Sequence, residues 1–168
     1  MAADIPQLAP TPLAGRAGFL LSQLGFHTAQ RFAEHLAPLG LQPKHFGLLM
    51  HVSRGEGRSQ QQLADALAIH RNVMVGLMDD LEDRGLTERR RHPSDRRAHA
   101  VYLTAAAHGL LARAQRSADT FEAEVLAPLD EADRTHLIAL LQRLAEHAGL
   151  PAGIHPGLQR ADSQAADR

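Results

Sequence analysis

Six arginines stand at positions 84, 89, 90, 91, 96 and 97, opposed between 84 and 99 only by Glu88 and Asp95, so this stretch carries a net charge of +4. The residues before it sum to −2 and those after it to −3, which leaves the 168-residue chain at a formal −1. Clustered guanidinium groups suit phosphate, because each planar fork donates parallel hydrogen bonds to one anion. A charge run is often no more than a solvated face. This one borders a pair of short helices, which favours a polyanion contact. The eleven histidines raise a second chemistry, metal ligation. They lie at 27, 35, 45, 51, 70, 92, 99, 108, 136, 147 and 155, and no two are three or four apart, so no one helix presents a chelating pair. The carboxylates of Asp79-Asp80 and Glu82-Asp83 are sequence neighbours, which diverge on a helix. There is no G-x-S-x-G, no H-E-x-x-H and no phosphate-cradling glycine loop, and the absence of cysteine removes thiolate chemistry and disulfides. We therefore expect no enzyme, no metal and no cofactor.

The elements that must position the arginines occupy Ser59 to Thr104. Ser59 followed by Gln60-Gln61-Gln62 spells a capping box and starts a short helix carrying Leu63, Ala64 and Leu67. A second periodic run opens at His70 and places Val73, Leu77, Met78 and Leu81 on one side until Gly85 stops it. Leu86 to Arg91 and Arg96 to Leu103 then read as two strands joined by the polar tip His92-Pro93-Ser94-Asp95. Two short helices followed by a basic hairpin make a winged helix-turn-helix, a groove reader with a wing.

The flanking segments read as helix. From about Gly18 to Ala37 the residues Leu20, Leu24, Phe32 and Leu36 fall on one face, widened by Leu21 and Phe26, and Pro38 ends it. Pro43 opens a second helix whose inward face is Phe46, Leu49, Met50 and Val52. After the hairpin, Thr104 is placed to cap a long helix. In it Leu103, Ala107, Leu110, Ala114, Ala118, Phe121 and Val125 form a heptad-like seam. Pro128 interrupts, Asp130 caps again, and Leu137, Leu140, Leu141, Leu144 and Ala148 mark a last helix. This apolar surplus at both ends predicts a homodimer made by the terminal helices. His27, Arg31 and His35 line one stripe of the first helix, and His27, Arg31 and His51 are candidates for a pocket that binds an anion.

At Leu81-Glu82-Asp83-Arg84-Gly85-Leu86-Thr87-Glu88-Arg89, then Pro93-Ser94-Asp95-Arg96-Arg97-Ala98 and Leu103-Thr104, the chain resembles the MarR family of bacterial transcription regulators. Gln62-Leu63-Ala64 and Leu41-Gln42-Pro43 with Phe46 and Leu49 fit the same pattern, and the likeness runs from about Leu20 to Leu144. The resemblance implies a two-fold dimer, recognition of double-stranded DNA by paired winged modules, and release by a small aromatic or anionic effector. Its recognition helix is His70 to Arg84, with His70, Arg71, Asn72, Val75 and Gly76 turned to the major groove, while Gln60 and Gln61 meet phosphate. Arg97 matches the wing arginine that enters the minor groove, Asp95 shapes the tip, and Arg89, Arg91 and Arg96 add phosphate contacts. Where family members often carry Ser, Thr and Arg, this chain has Val73, Val75, Gly76 and Asp80. Base readout then falls to Arg71, Asn72 and Val75, and more of the affinity falls to the wing.

The resulting expectation is a mostly α protein with a small β-hairpin wing. Residues 1–15 form a flexible N-terminal tail, 16–40 an N-terminal dimerisation helix, 41–103 the winged helix-turn-helix, 104–148 the C-terminal dimerisation helices and 149–168 a flexible tail, in one compact domain overall. With no apolar run long enough to cross a membrane and no secretory signal pattern at the N-terminus, a cytoplasmic repressor of a pseudo-palindromic operator is expected. The alternative is a helical dimeric adaptor whose winged module binds a protein partner.

Overall fold

Ser59 and Thr104 start two helices for the same physical reason, an early amide that needs an acceptor. In the computed structural model, which describes residues 12–92 and 98–158, Ser59 Oγ accepts from the Gln62 amide (3.2 Å) while Gln62 Oε1 accepts from the Ser59 amide (2.7 Å). Thr104 Oγ1 accepts from Ala107 N (3.1 Å) and donates to Gly85 O (2.7 Å), tying the start of one helix to the end of another. The order of elements is α1 (Ala17–Leu36), α2 (Pro43–Ser53), α3 (Gln60–Ala66), α4 (Arg71–Asp83), β1 (Thr87–Arg91), β2 (His99–Leu103), α5 (Ala105–Val125) and α6 (Glu131–His147), with short 3-10 turns at Pro12–Gly15, Ala37–Leu39 and Pro156–Leu158. This is the mostly helical winged helix-turn-helix that the sequence implies.

The strands pair antiparallel with Thr87 opposite Leu103 and Arg91 opposite His99. Residues 57–59 lie along the free edge of β2: Val101 N donates to Arg58 O, and Gly57 N to Val101 O, both at 2.9 Å. The chain between α2 and α3 thus anchors the hairpin. One core gathers Leu48, Leu49 and Val52 of α2, Leu63 and Ala64 of α3, Met74, Leu77, Met78 and Leu81 of α4, and Leu103, Ala107, Leu111 and Ala114 around the start of α5. On α4 it is Met74 that sits fully buried, while the expected Val73 is half-buried at the edge of the core. On α2, Leu48 is buried and Phe46 and Met50 pack from the rim. Phe46 meets Phe32 of α1 edge-on at 5.7 Å, and Phe32 also contacts Phe121 at 5.3 Å.

Two expectations change. The α5 seam is not surplus, because Leu103, Ala107 and Ala114 are buried within their own chain and Phe121 packs on Phe32. Only its end, at Val125, is exposed. The uncovered apolar surface lies instead on the first half of α1, at Phe19, Leu20, Leu21 and Leu24, and on α6, which buries none of its residues. The segment from Gly149, read as the start of a mobile tail, folds back so that Leu158 is buried with its methyl carbon 3.4 Å from where a Cβ on Gly47 of α2 would stand. A lone leucine in a Pro/Gly-rich stretch leaves no periodic trace.

The turn between α3 and α4 carries visible strain. α3 closes with Ile69 N donating to Ala64 O (2.9 Å) and Ala68 N to Asp65 O (3.3 Å), an arrangement that puts Ala68 in the left-handed region at φ 50°. α4 ends with the same pair of bonds, but there the left-handed residue is Gly85. A Cβ in that conformation costs about 1 kcal/mol that glycine avoids, partly offset by glycine's freer unfolded chain. Ala68→Gly is therefore expected to raise the free energy of unfolding by about 0.5 kcal/mol in urea titration; destabilisation would show that the alanine methyl contributes packing the strain does not outweigh.

Candidate nucleic-acid interface

α4 is built with two unlike faces. Its buried residues, Met74, Leu77, Met78 and Leu81, are all apolar, and the opposite side exposes Arg71, Asn72, Val75, Gly76 and Asp79. His70 precedes the helix as its cap: Nδ1 accepts from the Asn72 amide at 3.3 Å, so the ring hydrogen sits on Nε2, which stays available as a donor. The positive end of the helix dipole lies beside His70, Arg71 and Asn72, and all four acidic residues, Asp79, Asp80, Glu82 and Asp83, fall near the other end. An anion approaching α4 is attracted to its start and repelled from its end.

α3 completes this surface. A notch of about 100 Å³ between α3 and α4 is lined by Gln60, Gln61, Ala64, Arg71, Met74 and Val75. A larger recess of about 350 Å³ between α3 and the hairpin is lined by Ser59, Gln60, Gln61, Arg89, Ala98, His99 and Val101. Gln60 and Gln61 belong to both, so five of the residues singled out from the sequence, Gln60, Gln61, Arg71, Val75 and Arg89, share one continuous face. Strand alternation places Arg89 and Arg91 on one side of the hairpin and Arg90 on the other, where its guanidinium stacks 4.6 Å from the centre of the Tyr102 ring. His99, opposite Arg91 and exposed, was not singled out, although its spacing of two from Val101 puts it on the same side. Asp95, Arg96 and Arg97 lie outside the described residues.

Not every arginine is at the disposal of a polyanion. Arg89 pairs with Asp79 and, at 2.7 Å, with Glu82, both from α4. Arg84 is directed inward: its Nη2 donates to Gly40 O at 2.5 Å, and its Nη1 lies 3.2 Å from Nδ1 of the buried His45. His45 Nε2 in turn meets Asp80 Oδ2 at 3.0 Å, so α4 is latched to α2 and to the turn after α1. Three sequence arginines thus have different jobs: Arg84 holds α4, Arg90 covers Tyr102, and Arg89 is balanced by α4 carboxylates. Spacing alone gave no sign of His45 as a partner.

The three residues proposed for an anion pocket are not brought together. Arg31 lines a cleft between α1 and α5, but His27, one turn earlier on α1, is exposed and does not line it, and His51 belongs to α2, which contributes no residue to that cleft. Among the described residues no three His, Asp or Glu side chains are grouped to hold a metal ion, and no helix is long and apolar enough to cross a membrane.

The chain is similar to proteins already known. A family model described as MarR family matches residues 39–98. A protein of Thauera aromatica named for transcriptional regulation of the hcr operon is 31% identical over 142 residues, covering 84% of this chain and 86% of that protein. The transcriptional repressor CouR bound to a 23-mer DNA duplex superposes with a TM-score of 0.73 at 33% identity, over 83% of this chain and 99% of its own. CouR from Rhodococcus jostii RHA1 bound to p-coumaroyl-CoA gives 0.67 at 28% identity, over 81% and 96%.

The Arg89 pairs offer a test. Replacing Asp79 by Asn and Glu82 by Gln together frees that guanidinium, and duplex DNA should bind about ten-fold more tightly at low salt, with the slope of log affinity against log salt steeper by about one. Fluorescence anisotropy at four salt concentrations reads both; an unchanged slope would mean that Arg89 does not reach phosphate.

Proposed function

Since the chain belongs to the MarR family of transcription regulators, we propose that two copies bind a pseudo-palindromic operator as a homodimeric repressor and that a small aromatic or anionic ligand releases it. The observation that carries this reading is the single face on which Gln60, Gln61, Arg71, Val75 and Arg89 meet, in a fold that matches CouR held on a DNA duplex. On that face Arg71 and Asn72 are the side chains able to form paired hydrogen bonds with guanine or adenine, and Val75, which is 38% exposed, suits a thymine methyl. Gln60, Gln61, Arg91 and Arg96 contact phosphate, and Arg97, with Asp95 shaping the tip, extends the contact into the minor groove. Gly76 lets the helix approach closely, having open space where a Cβ would stand.

The apolar residues left uncovered support dimerisation. Leu24 on α1 and Leu144 on α6 are each more than half exposed, at 56% and 53%, and Leu20, Leu21, Ile138, Leu140 and Leu141 add to the same deficit. A patch of this kind is stable in water when a second copy covers it. The two α4 helices then stand about 34–36 Å apart, one turn of duplex, and any change in that spacing changes affinity. Ligand release is supported by CouR, which has been seen with p-coumaroyl-CoA as well as with DNA. No step of this reading requires a cofactor, a metal or catalysis, and it places the protein in the cytoplasm.

The test is a gel shift on the DNA flanking the protein's own coding region, with a salt titration. Arg71→Ala and Arg97→Ala are each expected to weaken binding about ten-fold or more while the dimer elutes unchanged in gel filtration. Arg71→Ala should also relax sequence choice, whereas Arg97→Ala should mainly flatten the salt slope; a wild-type protein that shifts no duplex from this region, or variants with undiminished affinity at every salt, would refute the reading.

A further inference from the structure

α6 stops at Gly149, which takes the left-handed region at φ 69° while its amide donates to Glu146 O (2.9 Å) and that of Leu150 to Ala145 O (3.0 Å). The chain then turns back toward its own body. Ile154 N donates to Pro151 O at 3.3 Å, Leu158 N to His155 O at 2.9 Å, and the His155 ring accepts at Nδ1 from the Gly157 amide at 3.0 Å. These bonds close two tight turns and deliver Leu158 to α2, into a slot that exists because residue 47 is glycine. Leu158 is 3% exposed and belongs to the main core, and Ile154 packs on that core from its rim. A side chain at position 47 much larger than a methyl group would occupy the place of the leucine.

The helix before this segment has no comparable hold. α6 buries none of its residues, and among the described residues no other helix packs along it. Its start is fixed by the short turn from α5, where Asp130 accepts from the Asp133 amide at 2.9 Å and Arg134 Nε donates to Leu129 O at 3.0 Å. The direction in which α6 leaves the body is therefore set at its two ends. Beyond the second end, α2 is latched to α4 through His45, which meets Asp80 and Arg84. Gly47 stands two residues from His45 and so faces another way on the helix. Leu158 and the end of α4 thus grip α2 from different sides.

We infer that residues 149–158 are a brace and that Leu158 is a positioning residue for operator binding. The brace fixes α6, the helix proposed to meet a second copy, relative to the module that carries α4. Closed, it holds the two α4 helices of a dimer at one separation; open, it leaves α6 to swing about the turn after α5, and the separation spreads. This rests on the reading of the protein as a dimeric operator-binding regulator. A duplex offers its half-sites at one spacing, and a dimer already confined to that spacing loses less freedom on binding. The brace acts on the choice between half-site spacings, not on contact with any one base.

The chain has no cysteine, so Asp83→Cys, at the exposed end of α4, gives one spin-label site per copy. Double electron-electron resonance on the full-length protein without DNA then reads the separation of the two α4 helices. With the brace intact the distribution should be single and narrow. Leu158→Asp or Gly47→Leu should broaden it at least about two-fold, whereas Leu158→Met, which refills the slot, should leave it narrow. Gly47→Leu keeps the sequence of the brace itself and carries the test should Leu158→Asp fail to fold. On DNA, inserting one base pair between the half-sites moves them about 3.4 Å apart and should cost the unlabelled wild type about thirty-fold in affinity, but the two variants no more than about five-fold. Equal distance distributions, a loss of affinity that runs in parallel on both duplexes, or variants that elute as monomers would overturn the brace. A wild type that gives a narrow dimer distance yet binds no duplex would sink the operator reading, and the brace would be judged on the distance distributions.

Discussion

The burial of one edge of α4 is the constraint on which the rest of the molecule depends. Met74, Met78 and Leu81 are at most 1% exposed and Leu77 only slightly more, and each contributes roughly 1.5–3 kcal/mol by leaving water. That packing fixes the helix about its own axis. Once it is fixed, Arg71, Asn72, Val75 and Gly76 can only face outward, and the hairpin, tied through Thr104 and Gly85 to the end of the same helix, can only lie to one side of it. The polar junction of Arg84, Asp80, His45 and Gly40 does what apolar contact cannot, since it sets where the helix stops along its length.

Charge is distributed so that affinity and choice come from different places. α4 carries a single arginine on its exposed face and ends in four carboxylates, so little of its attraction to DNA is Coulombic. The hairpin supplies most of the cationic groups, but Arg89 is held back by Asp79 and Glu82, and Arg90 by Glu88 and Tyr102. An exposed pair of this sort is worth only up to about 1 kcal/mol, so phosphate can compete for it. In the proposed DNA complex the carboxylates would act as a brake on non-specific binding. On the proposed reading they weaken contact with any duplex equally and leave discrimination to Arg71, Asn72 and Val75.

Much of this architecture was legible because it is written in local rules. Ser59 and Gln62, Thr104, Asp130, Pro43 and Gly85 each do in the structure what their types do at helix ends anywhere, and the net charge of residues 84–99 marked the hairpin. What escaped depends on pairings between distant positions. His45 looked like one of eleven histidines until α4 placed Asp80 and Arg84 against it, 35 and 39 residues on. The α5 seam looked like surplus because a heptad pattern does not say whether the opposite face comes from the same chain or another; here Phe32 and the α2–α4 core fill most of it. Leu158 had no periodic neighbours to announce its burial.

The central claim is that two copies of this surface are yoked at a spacing that matches successive major grooves. Hydroxyl-radical footprinting of the dimer on its operator tests that directly. The account predicts two protected patches on each strand, centred about 10–10.5 base pairs apart or a whole multiple of that, with symmetric offsets between strands. A single protected patch, or protection with no fixed spacing, would contradict it.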